Sequence, residues 1–184
     1  MGGGSSFTLA YPAGIASGDL MLIVTSSKQS GDNHPTAPGG WTEQSGDKGF
    51  ALYTLTASGG ESGTLTMGAG ENQCGAVLFV VRNAPALIDH DWAWLDSELP
   101  VSPSSVATAA GQIHLVGATG KVLGPPSTPS GYSVAAAQSG DTGMGQGYYK
   151  VLSASGATGT VTTGTDAGEW SDPYAAWSII VGAA

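Results

Sequence analysis

The sequence predicts an all-β domain, an antiparallel two-sheet β-sandwich or jelly roll with minimal helix. Three observations lead there. Glycine supplies 30 of the 184 residues, a level that penalises helices and suits turns, bulges and closely packed strands. No stretch sustains an apolar period of 3.6, whereas short apolar or alternating runs recur between Gly- and Pro-rich turns. Finally, one pattern occurs twice. Ala37-Pro38-Gly39-Gly40-Trp41 returns 91 positions later as Thr128-Pro129-Ser130-Gly131-Tyr132, and Ser62 to Gly68 returns 96 positions later as Thr158 to Gly164. Ser17 to Val24 faces Ala110 to Gly117, and Cys74 to Val81 faces Tyr174 to Val181. Four matches in one order predict two pseudo-repeats, approximately 7–84 and 106–184, joined by a connector at 85–105 within one domain, 1–184. Each half has an apolar sheet face to bury, and the other half is its natural cover.

The elements follow in order. Phe7 to Tyr11 reads as a first strand, ended by Pro12 and Gly14. Asp19 to Ser26 is a continuous apolar run with β-branched members, the signature of a strand covered on both faces. Lys28 to Gly40 is a polar loop, and Trp41 to Gln44 is short and extended. Phe50 to Ala57 alternates, placing Phe50 and Leu52 on one face and Ala51 and Tyr53 on the other. Gly59-Gly60 turns the chain, so Gly63 to Met67 is expected to pair back on that strand. Cys74 to Arg82, the most apolar stretch, is expected at the centre of a sheet. The connector contains His90 to Asp96, which alternates like a strand. The second half replays the plan with Gln112 to Ala118, Tyr132 to Ala137, Gly147 to Ala154, Thr158 to Thr163 and Ala175 to Val181. Gly143 to Gly147 reads as a turn.

Composition restricts the partners. The net charge is −9, and the five basic residues, Lys28, Lys48, Arg82, Lys121 and Lys150, form no stripe. Nucleic-acid binding is therefore disfavoured, because phosphate contacts need clustered cations. No apolar run is long enough to span a bilayer, and the N-terminus lacks the parts of a signal peptide. Met1 to Ser6 matches a myristoylation pattern formally, but without a polybasic partner a flexible arm is expected. Cys74 is the only cysteine, so no internal disulfide forms, and a buried inert thiol is expected.

No motif compels chemistry. Gly-x-Ser-x-Gly is absent, and His34, His90 and His114 form no close pair for a metal. His114 is expected to be a satisfied strand residue. Asp89-His90-Asp91 and the trio Asp166, Glu169 and Asp172 are small acidic clusters, expected to be solvated rather than calcium-binding. Trp92 and Trp94 share one strand face. They cover the sandwich edge in the simpler reading, or stack on sugar rings or a protein partner in the other. Trp41 and Tyr132 are expected to plug matching corners. Neither a catalytic set nor a cofactor is expected.

The run Tyr11-Pro12-Ala13-Gly14-Ile15-Ala16-Ser17-Gly18-Asp19-Leu20-Met21-Leu22 resembles the opening of a β-sandwich domain recurrent in tailed-bacteriophage virion proteins. Pro38-Gly39-Gly40-Trp41-Thr42, the Leu52-Tyr53 strand and Pro129-Ser130-Gly131-Tyr132 are similar to its further blocks, although Tyr132 stands where the repeat would favour Trp. The resemblance implies a non-enzymatic capsid decoration or cement protein. It would sit on the outer capsid surface of a virion assembled in the host cytoplasm, with the major capsid protein and neighbouring virion subunits as partners. Neither nucleic acid nor membrane is implied, and oligomers are compatible with the role. The alternative is a receptor- or carbohydrate-binding tail or fibre module that takes a host-surface glycan through Trp92, Trp94 and the loop carrying Asn33 and His34.

Overall fold

In the computed structural model the described residues form strands and loops, with no helix among them. These are 6–27, 33–47, 49–68, 74–95, 101–120, 128–140, 143–163 and 174–182. The first half supplies β1 (Phe7–Ala10), β2 (Leu20–Ser27), β3 (Thr42–Asp47), β4 (Phe50–Thr56), β5 (Thr64–Met67) and β6 (Cys74–Val81). After β7 (Leu87–Leu95) come two short strands, β8 (Val101–Ser102) and β9 (Val106–Ala107). The second half continues with β10 (Ile113–Gly120), β11 (Ser133–Gly140), β12 (Gly143–Val151), β13 (Gly156–Ala157), β14 (Val161–Thr162) and β15 (Tyr174–Val181).

Two antiparallel sheets carry the fold. One has the order β3-β4-β2-β6 and the other β11-β12-β10-β15-β7. Their inner faces share one apolar core. Leu20, Leu22, Val24, Phe50, Leu52, Val77 and Phe79 from the first sheet pack with Leu115, Ala175, Trp177, Ile179 and Val181 from the second. The outer face of the first sheet is buried as well, because β1 and β5 lie across it. Leu9, Leu65 and Met67 cover Ile23, Ala51, Tyr53 and Ala76. Every residue of β2 is therefore buried, as its unbroken apolar run predicts.

Several local features recur in the two main sheets. Leu20 pairs with Thr56 and Val81, while Ile113 pairs with Val151 and Val181. The β3–β4 ladder shifts register between Glu43 and Ser45, and the β11–β12 ladder between Val134 and Ala136. Gly18 N donates to Ala57 O and Ala57 N to Asp19 O, at 2.9 and 2.8 Å; Gly111, Leu152 and Gln112 repeat the exchange at 2.7 and 2.8 Å. Asp19 Oδ2 accepts from Ala16 N at 2.8 Å, and Gln112 Oε1 accepts from Thr108 N at 2.9 Å. Gly40 and Gly131, at φ 97° and 79°, turn the chain into Trp41 and Tyr132 where a side chain would strain the backbone.

Several expectations need correction. The segment Gly143 to Gly147 is not a turn but the start of β12. Its glycines make room for the opposite sheet. A Cβ on Gly147 would collide with Phe79 Cζ and stand 3.0 Å from Trp177 Cη2; one on Gly145 would collide with Val77, and one on Gly117 with Trp177 Cζ2. Phe79 and Trp177 meet edge to face above this trough, 5.5 Å apart at 71°. Strand β5 does not pair back on β4 but on β1, with Leu9 opposite Leu65, so it can cover the sheet's outer face. The most apolar strand, β6, is at the edge of its sheet rather than the centre. Cys74 begins that strand and is half-buried, not buried. The arm at Met1 to Ser5 and the trio Asp166, Glu169 and Asp172 lie outside the described residues.

Overpacking in a dense core costs about 1–3 kcal/mol. Gly147→Ala is expected to lower the unfolding free energy by about that amount in urea titrations. Gly39→Ala, where a Cβ meets open space, is expected to stay within about 0.5 kcal/mol of the parent.

Candidate functional site

His34 lies where the first polar loop meets the β3–β4 hairpin. Its Nδ1 is 3.1 Å from the Tyr53 hydroxyl, which donates to Pro35 O at 3.1 Å. With that proton used, the hydroxyl oxygen accepts from a protonated Nδ1. His34 Nε2 is 3.9 Å from Glu43 Oε1. Burial, then the Glu43 charge, pushes the Tyr53 phenol well above its usual range, so it remains a neutral donor. Asn33 is exposed beside this knot. The arrangement ties loop to sheet and leaves Asn33 as the more accessible of the two residues.

A second polar chain crosses the outer face of the second sheet. His114 Nε2 is 2.8 Å from Ser178 Oγ, and His114 Nδ1 is 2.8 Å from the Tyr132 hydroxyl. A Ser–His pair at this distance is the contact that a hydrolase nucleophile makes with its base. Here both residues are fully buried, and Ser105 Oγ donates to Ser178 O at 3.2 Å from the covering segment. Reagents in solvent do not reach this serine; the chain joins β10, β15 and the Tyr132 corner. Burial first, and then the charge of Lys150, pushes the His114 pKa down to about 4. Lys150 Nζ is 5.7 Å from the centre of the Tyr132 ring. The imidazole is thus neutral at pH 7, the satisfied strand residue that the sequence suggests.

Trp92 and Trp94 are half-buried and pack against the shared core. Trp92 stacks on Phe50 of the first sheet, with centroids 4.8 Å apart and planes at 20°. The pair closes the sandwich edge, in agreement with the simpler of the two readings, and one indole face is spent on Phe50. The Trp94 indole nitrogen is buried without a hydrogen-bond partner among the described residues. The neighbouring carboxylates serve the backbone. Asp89 Oδ2 accepts from Val106 N at 2.6 Å, and Asp91 Oδ1 from Trp92 N at 2.8 Å. Among the described residues, no three His, Cys, Asp or Glu side chains are grouped to hold a metal ion.

The structure reveals a surface that the sequence does not announce. A groove of about 780 Å³ runs along β6 and the turn after it, from Val77 to Arg82, on the side where no described strand pairs. Tyr11 to Ile15 form one wall, and Val134, Ala135 and Tyr149 of the second sheet lie beneath it. Val134 and Tyr149 are 52 % and 40 % exposed, two of only four large apolar residues so exposed among those described. Arg82 stands at one end with its side chain 66 % exposed, donating to Gly14 O at 2.5 Å and lying 3.8 Å from Asp19. The signal available in the sequence was the apolar run Cys74 to Val81, whose edge position only the ladder reveals.

Compared with known proteins, the chain matched no family model, no curated protein and no solved structure.

The buried imidazole makes stability depend on pH in a definite sense. With a folded pKa near 4 and an unfolded value near 6.5, protonation favours the unfolded chain. The contribution is complete above pH 6.5 and fades as pH falls toward 4, a loss of about 3 kcal/mol. Relative to the parent, His114→Met is expected to remove one proton's worth of pH dependence from the unfolding free energy in that window, read from denaturant titrations at half-unit steps.

Proposed function

We propose that this chain is a non-enzymatic structural protein of a bacteriophage virion, a decoration or cement protein that binds coat subunits on the outer head. The observation that carries the binding role is the apolar groove along the β6 edge. Exposed apolar area beside a strand edge that no described strand covers suits a polypeptide partner. The polar clusters at His34 and His114, by contrast, are committed to internal hydrogen bonds.

The virion context rests on the resemblance of Tyr11 to Leu22 and of Pro38 to Thr42. In support, these residues build corners of the fold: Asp19 closes a turn onto Ala16, and Gly40 leads into Trp41, which packs on the outer apolar layer. The same reading takes the halves as copies of one unit. Their matching strand order, bulges and turn bonds support it. A rigid sandwich repeated over a capsid lattice would gain from many weak contacts acting together.

The test is sedimentation of the purified protein with capsids of the encoding phage that lack it. Saturable, stoichiometric co-sedimentation is the expected result, and capsids that bind none overturn the proposal. Trp92→Ala is expected to act through stability, because it removes the ring stacked on Phe50. Saturable glycan binding lost in a still-folded Trp92→Ala variant would instead support the tail-module reading.

A further inference from the structure

The two sheets have four edge strands, and three carry a device that discourages further pairing. β3 and β11 each contain a bulge, and β3 also bears Glu43 and Asp47. β7 carries Asp89, His90 and Asp91, and its ladder with β15 is irregular near Ile180. β6 has none of these. Cys-Gly-Ala-Val-Leu-Phe-Val-Val is uncharged, lacks proline, and pairs with β2 in unbroken register from Val81 to Cys74. Among the described residues its sole ladder partner is β2. Its composition is that of a central strand, and the position is that of an edge.

The molecule contains the filled form of this site. β15 takes the place in the second sheet that β6 takes in the first, pairing with β10 as β6 pairs with β2. The far side of β15 is occupied by β7, antiparallel, with Trp92 reaching into the gap between the sheets. Along β6 the corresponding place is the groove, where Val134, Ala135 and Tyr149 of the other sheet extend beneath the edge.

We propose that the β6 edge is an acceptor for a single β-strand donated by another polypeptide. The strand lies antiparallel to β6 and carries large apolar side chains at alternate positions. Backbone hydrogen bonds to the free edge hold it, and its inward side chains cover Tyr149. Five residues of edge, Val77 to Val81, offer roughly 17 Å for pairing. Charge sets one end. Arg82 stands where the donor's N-terminal end arrives, so a carboxylate there is favoured. A second folded copy pairing edge to edge is disfavoured. The twofold axis relating antiparallel neighbours stands perpendicular to the sheet, so both overhanging second sheets would meet on the same side. The inference stands on the edge and the groove, independently of the virion reading.

The test uses the full-length protein and, as probe, a synthetic peptide with the sequence Leu87 to Leu95, which already fits the equivalent edge and bears Asp89 near its start. Binding is read by anisotropy of the labelled peptide, and its location by amide hydrogen exchange. The expected result is saturable binding with slowed exchange along Val77 to Val81. Tyr149→Lys, at an exposed position on the same face as the core residue Leu115, is expected to weaken it at least about tenfold. Val106→Lys, on an exposed valine of β9, is expected to leave it unchanged. No binding, equal binding to all variants, or protection at β15 through exchange with the resident β7 would each overturn the proposal. Dimerisation of whole molecules with protected β6 amides would assign the edge to a second copy and overturn it too.

Discussion

The sandwich depends on two aromatic rings fitting a trough that has no side chains of its own. Trp177 and Phe79 project from opposite sheets and meet edge to face, over a floor of Gly117 and Gly147 where any Cβ would collide with one of the two rings; one on Gly145 would collide with Val77. Interiors packed to crystalline density tolerate neither an added methyl nor a missing ring. Gly117 and Gly147 are direct partners in the β10–β12 ladder, and Trp177 lies opposite Gly117 in the β10–β15 ladder. Two strands, β10 and β12, are thus fixed beneath the indole that β15 carries. The high glycine content, which reads as turn material, is here partly core material.

Around that centre the chain satisfies its polar groups locally. Asp19 and Gln112 each fold back onto the turn before their own strand, and the buried His114 spends both ring nitrogens on Ser178 and Tyr132. Polar groups buried in this way cost little once paired and specify one register. What remains for partners is rim and edge. Of the four sheet edges, the one with no charge and no bulge is flanked by the apolar groove.

Much of the fold was legible in the sequence because the apolar pattern has a period of two. The alternation of Phe50 to Tyr53 assigned each residue to its face, and the unbroken run at Leu20 to Val24 marked a strand covered on both sides. Corner residues were legible too, since Gly40 and Gly131 have distinct backbone requirements. Three features were not. Gly143 to Gly147 carries no side chains to show a period, so its strand character appears only when Phe79 and Trp177 are seen above it. The pairing of β5 with β1 spans more than 50 residues and leaves no local trace. The edge position of β6 is opposite to its composition, because hydropathy reports burial and not which neighbour supplies it. For the candidate contacts, sequence gave the strand face of Trp92 and Trp94 but not Phe50 beneath it, and it gave no sign of the groove.

If the glycine trough and the two rings make the halves one cooperative unit, neither half can fold alone. Production of residues 1–84 and 85–184 as separate fragments tests this directly, with near-ultraviolet circular dichroism reporting the environment of Trp177. Each fragment alone is predicted to lack fixed aromatic signal and a cooperative thermal transition, and an equimolar mixture to recover both. A fragment that melts cooperatively by itself, with ordered aromatic side chains, would contradict the account.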